Sequence, residues 1–160
     1  MRNEIEKFHH TVNVLVKAYI NNTLEHQNCY ACAVGNIIAD ACGYSYKPAK
    51  AKYQTIKWSH VPGVYYSGVD QPNHWYDFIR YQDIDDKDRI IREINSTGYS
   101  VDELNSIEWA FENAPGEFDP DADWMFNGLM AVVDLLADIH GIDLKAKEEA
   151  KALFVKAPIL

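Results

Sequence analysis

The stretch DADWMFNGLMAVVDLLADIH, residues 121–140, is the most apolar part of this sequence and decides the fold. Its apolar side chains recur at spacings of three and four and cover nearly the whole circumference of a helix. A helix that is apolar on almost every side packs at the centre of a bundle. Gly141 is suited to end this helix, and His140 is placed to interact with its C-terminal dipole. We therefore predict a central helix over 121–140 in an all-α protein.

Five further segments around this helix also have helical patterns. Ser100 and Glu103 form the Ser-x-x-Glu capping box that opens a helix, and Leu104, Ile107 and Phe111 follow on one face. The other predicted helices cover residues 3–24, 28 or 29 to 42, 85–98 and 142–156. A chain of 160 residues has the size of one ordinary domain. The sequence predicts a single helical domain, 1–160, of about six helices.

Residues 44–82 break the helical pattern with prolines and glycines. Seven of the ten tyrosines lie here. We predict an irregular, aromatic-rich insertion, with a short β-hairpin within it as an alternative. Tyrosine and tryptophan side chains on irregular backbone make rigid recognition surfaces, although the same rings also suit a small core under a long loop. The candidate binding residues are Tyr46, Tyr53, Trp58, Tyr65, Tyr66 and Trp75.

Two cysteines three residues apart lie at a predicted helix start, in HQNCYACAVGN, residues 26–36. A helix N-terminus favours the thiolate, which is the nucleophilic form of cysteine. Cys29 or Cys32 is therefore a candidate catalytic nucleophile. His74 or His60 is the candidate base that such chemistry needs. The competing interpretation is that both cysteines are small buried side chains in an alanine-rich helix.

The same stretch has the spacing of metal ligands. His26, Cys29 and Cys32 are able to surround one ion at a helix start, with a fourth ligand from His9, His60 or His74. Structural zinc sites usually show two ligand clusters, and this sequence shows one. We therefore predict no cofactor and keep a structural zinc site as an alternative. Cys42 is predicted to be separate, because nine residues of helix would hold it about 15 Å from Cys32.

Composition bounds the compartment and the partners. The protein carries a net charge of −9, and its three cysteines, an odd number, favour a reducing compartment over a disulfide framework. No apolar run reaches the roughly 20 residues that a membrane helix needs, and the N-terminal residues lack a signal-peptide pattern. We predict a cytoplasmic protein with no membrane partner and an undefined oligomeric state.

The acidic charge is concentrated in residues 83–125, which hold thirteen acidic side chains against three basic ones. Such a surface repels a phosphate backbone and attracts basic partners. We expect no tight, salt-sensitive binding of duplex DNA in a mobility-shift assay. The lysines of residues 47–57 supply the one exception to test, because a basic patch formed there would bind DNA independently.

Three sequence words carry a resemblance. CYACAVGN, GYSVDELNSIEWAFE and MFNGLMAVVDLLADIH occur in this order and span most of the chain. They resemble an uncharacterised family of small proteins from gut bacteria and their phages. That family has no established activity, so the resemblance implies only a phage or mobile-element association.

Together these patterns predict a small acidic binding protein and favour this function over that of an enzyme. The predicted partner is a small molecule or a protein, recognised by the 44–82 segment next to the Cys29 and Cys32 helix start. The first alternative is a small cysteine-dependent enzyme. The second is a structural zinc protein that uses His26, Cys29 and Cys32.

Overall fold

The computed structural model describes residues 3–26, 32–43, 92–119 and 121–156. Six helices run through them: α1 (Glu4–Ile20), α2 (Ala33–Ala41), α3 (92–95), α4 (Val101–Glu112), α5 (Trp124–His140) and α6 (Leu144–Lys156). These four described ranges contain no strand, so the all-α prediction is confirmed. The aromatic-rich insertion, 44–82, lies outside the described residues, and the single-domain division stays a prediction.

Helix α5 lies at the centre of this bundle. Its side chains at Leu129, Val132, Val133 and Leu136 have no exposed surface. The helix packs most extensively against α4 and also contacts α1 and α6, while α2 packs against α1 and α4. Burial of each such aliphatic side chain contributes roughly 1.5–3 kcal/mol. The prediction that this helix forms the core is confirmed.

Local capping sets several helix ends where the sequence indicates them. The Ser100 side chain accepts the backbone N–H of Glu103, and the Glu103 carboxylate accepts that of Ser100, which is the predicted capping box. Asp123 caps α5 by accepting the N–H of Phe126. The helix therefore begins at Trp124, three residues after its predicted start. Gly141 ends α5 in the left-handed conformation (φ 65°) that glycine adopts without strain.

The start of α2 was predicted wrongly. The helix begins at Ala33, four or five residues later than predicted, and Cys32 is its N-cap in extended conformation. The Cys32 sulfur accepts the N–H of Gly35 at 3.4 Å, in the position that Ser or Asp usually occupies. The Asn36 side chain donates to the carbonyls of Thr23 and Cys32, at 3.0 and 3.1 Å. This side-chain bonding satisfies the carbonyls of Thr23 and Cys32 and fixes where α2 begins.

Among the described residues, no helix combines the length and apolarity needed to cross a membrane.

Candidate ligand-binding cleft

A polar cleft of about 380 Å³ lies between α1, α2 and the turn that follows α3. Among the residues that the structure describes, its polar lining comprises His10, Thr11, Asp40, Ser96 and Thr97. Its apolar lining consists of Val14, Ile37 and Ala41. The walls belong to two packed helices and to a hydrogen-bonded turn, so the cleft is built from fixed elements. We call it the α1–α2 cleft.

A histidine–carboxylate pair joins the two helical walls of the cleft. His10 Nε2 lies 2.8 Å from Asp40 Oδ2, and the two side chains are 41% and 42% exposed. His10 comes from the middle of α1, and Asp40 is the next-to-last residue of α2. Because both side chains are partly solvated, the pair adds little to stability, typically 0–1 kcal/mol. Its importance lies in presenting two polar groups to the cleft.

On the side of the cleft formed by the turn after α3, two hydroxyl groups donate their protons to backbone carbonyls. Ser96 Oγ donates to the carbonyl of Glu93 at 2.5 Å, and Thr97 Oγ1 donates to the carbonyl of Ile94 at 2.6 Å. Thr97 Oγ1 also accepts the backbone N–H of Tyr99 at 3.1 Å. These hydroxyls therefore offer acceptor capacity to the cleft rather than donors.

Neither His10 nor Asp40 was among the predicted site residues. The sequence gives one signal, a lone aspartate in the otherwise apolar turn Ile37-Ile38-Ala39-Asp40-Ala41, which had to face solvent, a partner or a ligand. It gives no sign of His10 as that partner, because the two lie thirty residues apart.

The predicted metal ligand His26 lies in a separate buried cluster. Its ring stacks on Trp124 at 3.6 Å between centroids and on Phe111 at 4.2 Å. Nδ1 lies 3.1 Å from Glu112 Oε2, with both side chains more than nine-tenths buried. His26 Nε2 is buried without a hydrogen-bond partner. The stacking and the Glu112 contact hold the His26 ring against α4 and α5.

The predicted nucleophile Cys32 is fully buried. Burial raises the pKa of its thiol well above the ordinary value, and the nearby charges of Glu108 and Glu112 act in the same direction. The N–H of Gly35 favours the thiolate, but burial outweighs it. The expectation that the helix start makes this cysteine a thiolate is therefore wrong for Cys32.

The zinc alternative stays a prediction. Within the four described ranges, no three His, Cys, Asp or Glu side chains form a group that suits a metal ion. Cys29 lies outside those ranges. Helix α2 is unbroken from Ala33 to Ala41, and Cys32 and Cys42 lie at its opposite ends as N-cap and C-cap. The predicted separation of Cys42 from Cys32 is confirmed.

The other predicted site residues also lie outside the described residues. These are the catalytic candidates His60 and His74 and the binding candidates Tyr46, Tyr53, Trp58, Tyr65, Tyr66 and Trp75. Their roles stay predictions.

The two described thiols should differ sharply in reactivity. Cys42 is partly exposed at the end of α2, whereas Cys32 has no exposed surface and a raised pKa. We expect iodoacetamide at pH 8 to label Cys42 at least about tenfold faster than Cys32, because alkylation requires an accessible thiolate. Peptide mass spectrometry of the native protein measures both rates. Labelling in 8 M urea is the control and should bring the rates together. Faster labelling of Cys32 in the native state would contradict the burial argument.

A chain of hydrogen bonds fixes α1 to the end of α5. Tyr99 Oη lies 2.7 Å from His140 Nε2 and 2.7 Å from Thr11 Oγ1, and His140 Nδ1 lies 2.6 Å from Glu4 Oε2. The hydrogen bond from His140 lowers the pKa of Glu4 below its ordinary value. Burial raises the pKa of Tyr99 to about 12. One assignment satisfies every atom: Thr11 donates to Tyr99, Tyr99 to His140, and His140 to Glu4.

Removing the Tyr99 hydroxyl should weaken the fold. We expect Tyr99→Phe to lower the free energy of unfolding by about 1–2 kcal/mol, because it leaves buried polar atoms of His140 and Thr11 without this partner. Urea denaturation followed by circular dichroism measures the change. Tyr19→Phe is the matched control, since the Tyr19 ring packs on Phe154 and that contact is retained. Equal losses in the two variants would argue against a structural role for this chain.

Comparison of the chain with protein-family models, with curated proteins and with solved structures gives no match. The class defined by the described residues is an all-α helical bundle with a polar cleft between its first two helices. The resemblance to small gut-bacterial and phage proteins stays a prediction.

Proposed function

We propose that this protein is a non-enzymatic binding protein that holds a small polar ligand in the α1–α2 cleft. The observation that carries the proposal is the His10–Asp40 pair, which sits in the lining of a cavity of about 380 Å³. Small-molecule sites typically have volumes of about 300–1,000 Å³ and combine apolar walls with a few placed polar groups. Val14, Ile37 and Ala41 supply such walls here.

The position of the cleft in the chain agrees with the predicted role of the aromatic segment. Asp40 and Ala41 in the last turn of α2 line it, and the aromatic-rich segment follows α2 directly in sequence. Ser96 and Thr97 line it from the turn after α3, which follows that segment along the chain. The described residues on both sides of the segment therefore adjoin the cleft. Recognition by the segment itself, a protein partner and a phage or mobile-element setting stay predictions of the sequence.

The cysteine-enzyme alternative has less support. Cys32 is buried and its thiol pKa is raised, so it does not offer a ready nucleophile. The alternative therefore rests on Cys29 with His60 or His74, which lie outside the described residues.

A ligand screen with a blocked cleft tests the proposal. Ala41 is an exposed cleft residue, so Ala41→Trp places a large indole at the cavity while leaving the core intact. Glu149→Trp, at an exposed position of α6, is the matched control for adding a tryptophan. Thermal denaturation is followed with a chemically diverse set of small polar molecules.

We expect a cleft ligand at 100 times its Kd to stabilise the native protein and the control by about 2.7 kcal/mol. For a chain of this size that raises Tm by roughly 5–10 °C. The same ligand should leave Ala41→Trp nearly unchanged. Equal stabilisation of all three proteins would place binding elsewhere and overturn the proposal, as would a screen that stabilises none of them.

A further inference from the structure

The described carboxylate and hydroxyl groups that line the α1–α2 cleft face it as hydrogen-bond acceptors, and from this we propose that its ligand carries an aliphatic primary ammonium group. This inference rests on the proposed function and adds the chemical class of the ligand. It depends on the direction of the hydrogen bonds around the cleft, on its charge and on its apolar floor.

The hydroxyl groups at one side of the cleft have committed their protons to the backbone. Ser96 donates to the Glu93 carbonyl and Thr97 to the Ile94 carbonyl, so their oxygens face a ligand with lone pairs only. One lone pair of Thr97 is already engaged by the Tyr99 N–H. Ser96 Oγ also lies 3.5 Å from the Cys42 sulfur, so each hydroxyl oxygen has one acceptor position left. An incoming donor finds a partner at these oxygens, whereas an incoming acceptor does not.

Asp40 is the one acidic side chain among the described residues that line the cleft. Its Oδ2 is held by His10 at 2.8 Å, which leaves Oδ1 as a further acceptor on a partly exposed carboxylate. His10 therefore occupies one of the two carboxylate oxygens and leaves the other open to the cleft. No lysine or arginine is among the described residues that line the cleft. Among these described residues, the Asp40 carboxylate attracts cations and disfavours phosphates and carboxylates beside it.

An aliphatic ammonium group matches these features. It has three donors and no acceptor, so its donors match a carboxylate oxygen and two hydroxyl lone pairs. The methylene groups beside it fit the apolar floor of Val14 and Ile37. A carboxylate or phosphate of the same size would place acceptors against acceptors.

Three four-carbon molecules with cationic, neutral or anionic end groups test which class of ligand the cleft binds. We would measure binding of 1,4-diaminobutane, 1,4-butanediol and succinate to the full chain by isothermal titration calorimetry at pH 7 and low ionic strength. Asp40→Asn removes the charge of the cleft. Asp138→Asn is the matched control, since Asp138 is an exposed aspartate on α5 away from the lining. Circular dichroism confirms that both variants are folded.

We expect the diamine to bind with one site per chain and at least about tenfold more tightly than the diol, with no binding of succinate. Asp40→Asn should weaken diamine binding at least about tenfold, and Asp138→Asn by less than about twofold. Similar losses in both variants, or several weak sites per chain, would show general attraction to an acidic protein and overturn the inference.

Tighter binding of succinate or of the diol would overturn the amine class while leaving the proposed function standing. Absence of binding by all three would also overturn it, whereas the screen against Ala41→Trp would still decide whether the cleft binds a ligand. The two proposals therefore fail separately.

Discussion

Leu129→Ala should lower the free energy of unfolding by about 3 kcal/mol. Leu129 has no exposed surface and lies on α5, the helix that contacts α1, α4 and α6. Truncation removes buried methyl groups and leaves a cavity that three packed helices are unable to fill without moving together. The loss is a large fraction of the 5–15 kcal/mol that holds an ordinary domain together. Urea denaturation monitored by circular dichroism at 222 nm gives the value.

Leu144→Ala is the control for this prediction. Leu144 begins α6 and is 68% exposed. The same substitution there should therefore change the free energy of unfolding by no more than about 0.5 kcal/mol. Val133 is a second fully buried position of α5. We expect Val133→Ala to lower the free energy of unfolding clearly more than the Leu144→Ala control does. A Leu129 variant as stable as the Leu144 variant would contradict the central position of α5.

Gly128→Ala should destabilise the protein by about 2 kcal/mol, although alanine is the better helix former. A methyl group at this position would lie 2.6 Å from the Phe111 carbonyl oxygen, 3.0 Å from Phe111 Cδ1 and 3.2 Å from His26 Cε1. The carbonyl belongs to the backbone of α4 and is unable to move without shifting that helix. The close approach of α4 and α5 therefore requires a residue without Cβ here.

The helix-propensity argument alone predicts the opposite result, a gain of about 1 kcal/mol. Ala131→Gly, one turn further along α5 and half-buried, isolates that propensity and should cost about 1 kcal/mol. Gly128→Ala adds a methyl group to α5 and Ala131→Gly removes one, and we expect both to lower the free energy of unfolding. A Gly128→Ala variant more stable than the native protein would show that α4 and α5 tolerate a wider separation.

The stacked ring of His26 provides a second measurement on this variant. His26 lies between Phe111 and Trp124, next to the position that the new methyl group would occupy. Displacement of the ring should change the environment of Trp124 and hence the near-ultraviolet circular dichroism and fluorescence of the folded protein. Ala131→Gly should leave both spectra unchanged.

Much of the fold could be predicted because it depends on neighbours along the chain. Periodicity located α1, α4, α5 and α6, and the Ser100 capping box and Gly141 fixed two helix ends within a residue. The error at α2 has a tertiary cause. Its start depends on the Cys32 sulfur as N-cap and on Asn36 reaching back to Thr23, and neither is a strong sequence signal.

The candidate site could hardly be predicted, because its contacts join distant parts of the chain. His10 and Asp40 are 30 positions apart, and the hydrogen bond between Glu4 and His140 spans 136. Sequence spacing made Cys32, like Cys29, a candidate nucleophile by its place at a predicted helix start. Packing then buried it, and burial changed its chemistry from a favoured thiolate to a protonated thiol.

The sequence by itself determined that this chain forms helices, where most of them lie and which one is central, because hydrogen bonding within a helix and the apolar pattern are local properties. Tertiary structure alone decided which polar side chains meet, which thiol is buried and where a glycine is indispensable. Those outcomes depend on the distances between packed helices, and no periodicity of a single segment encodes them.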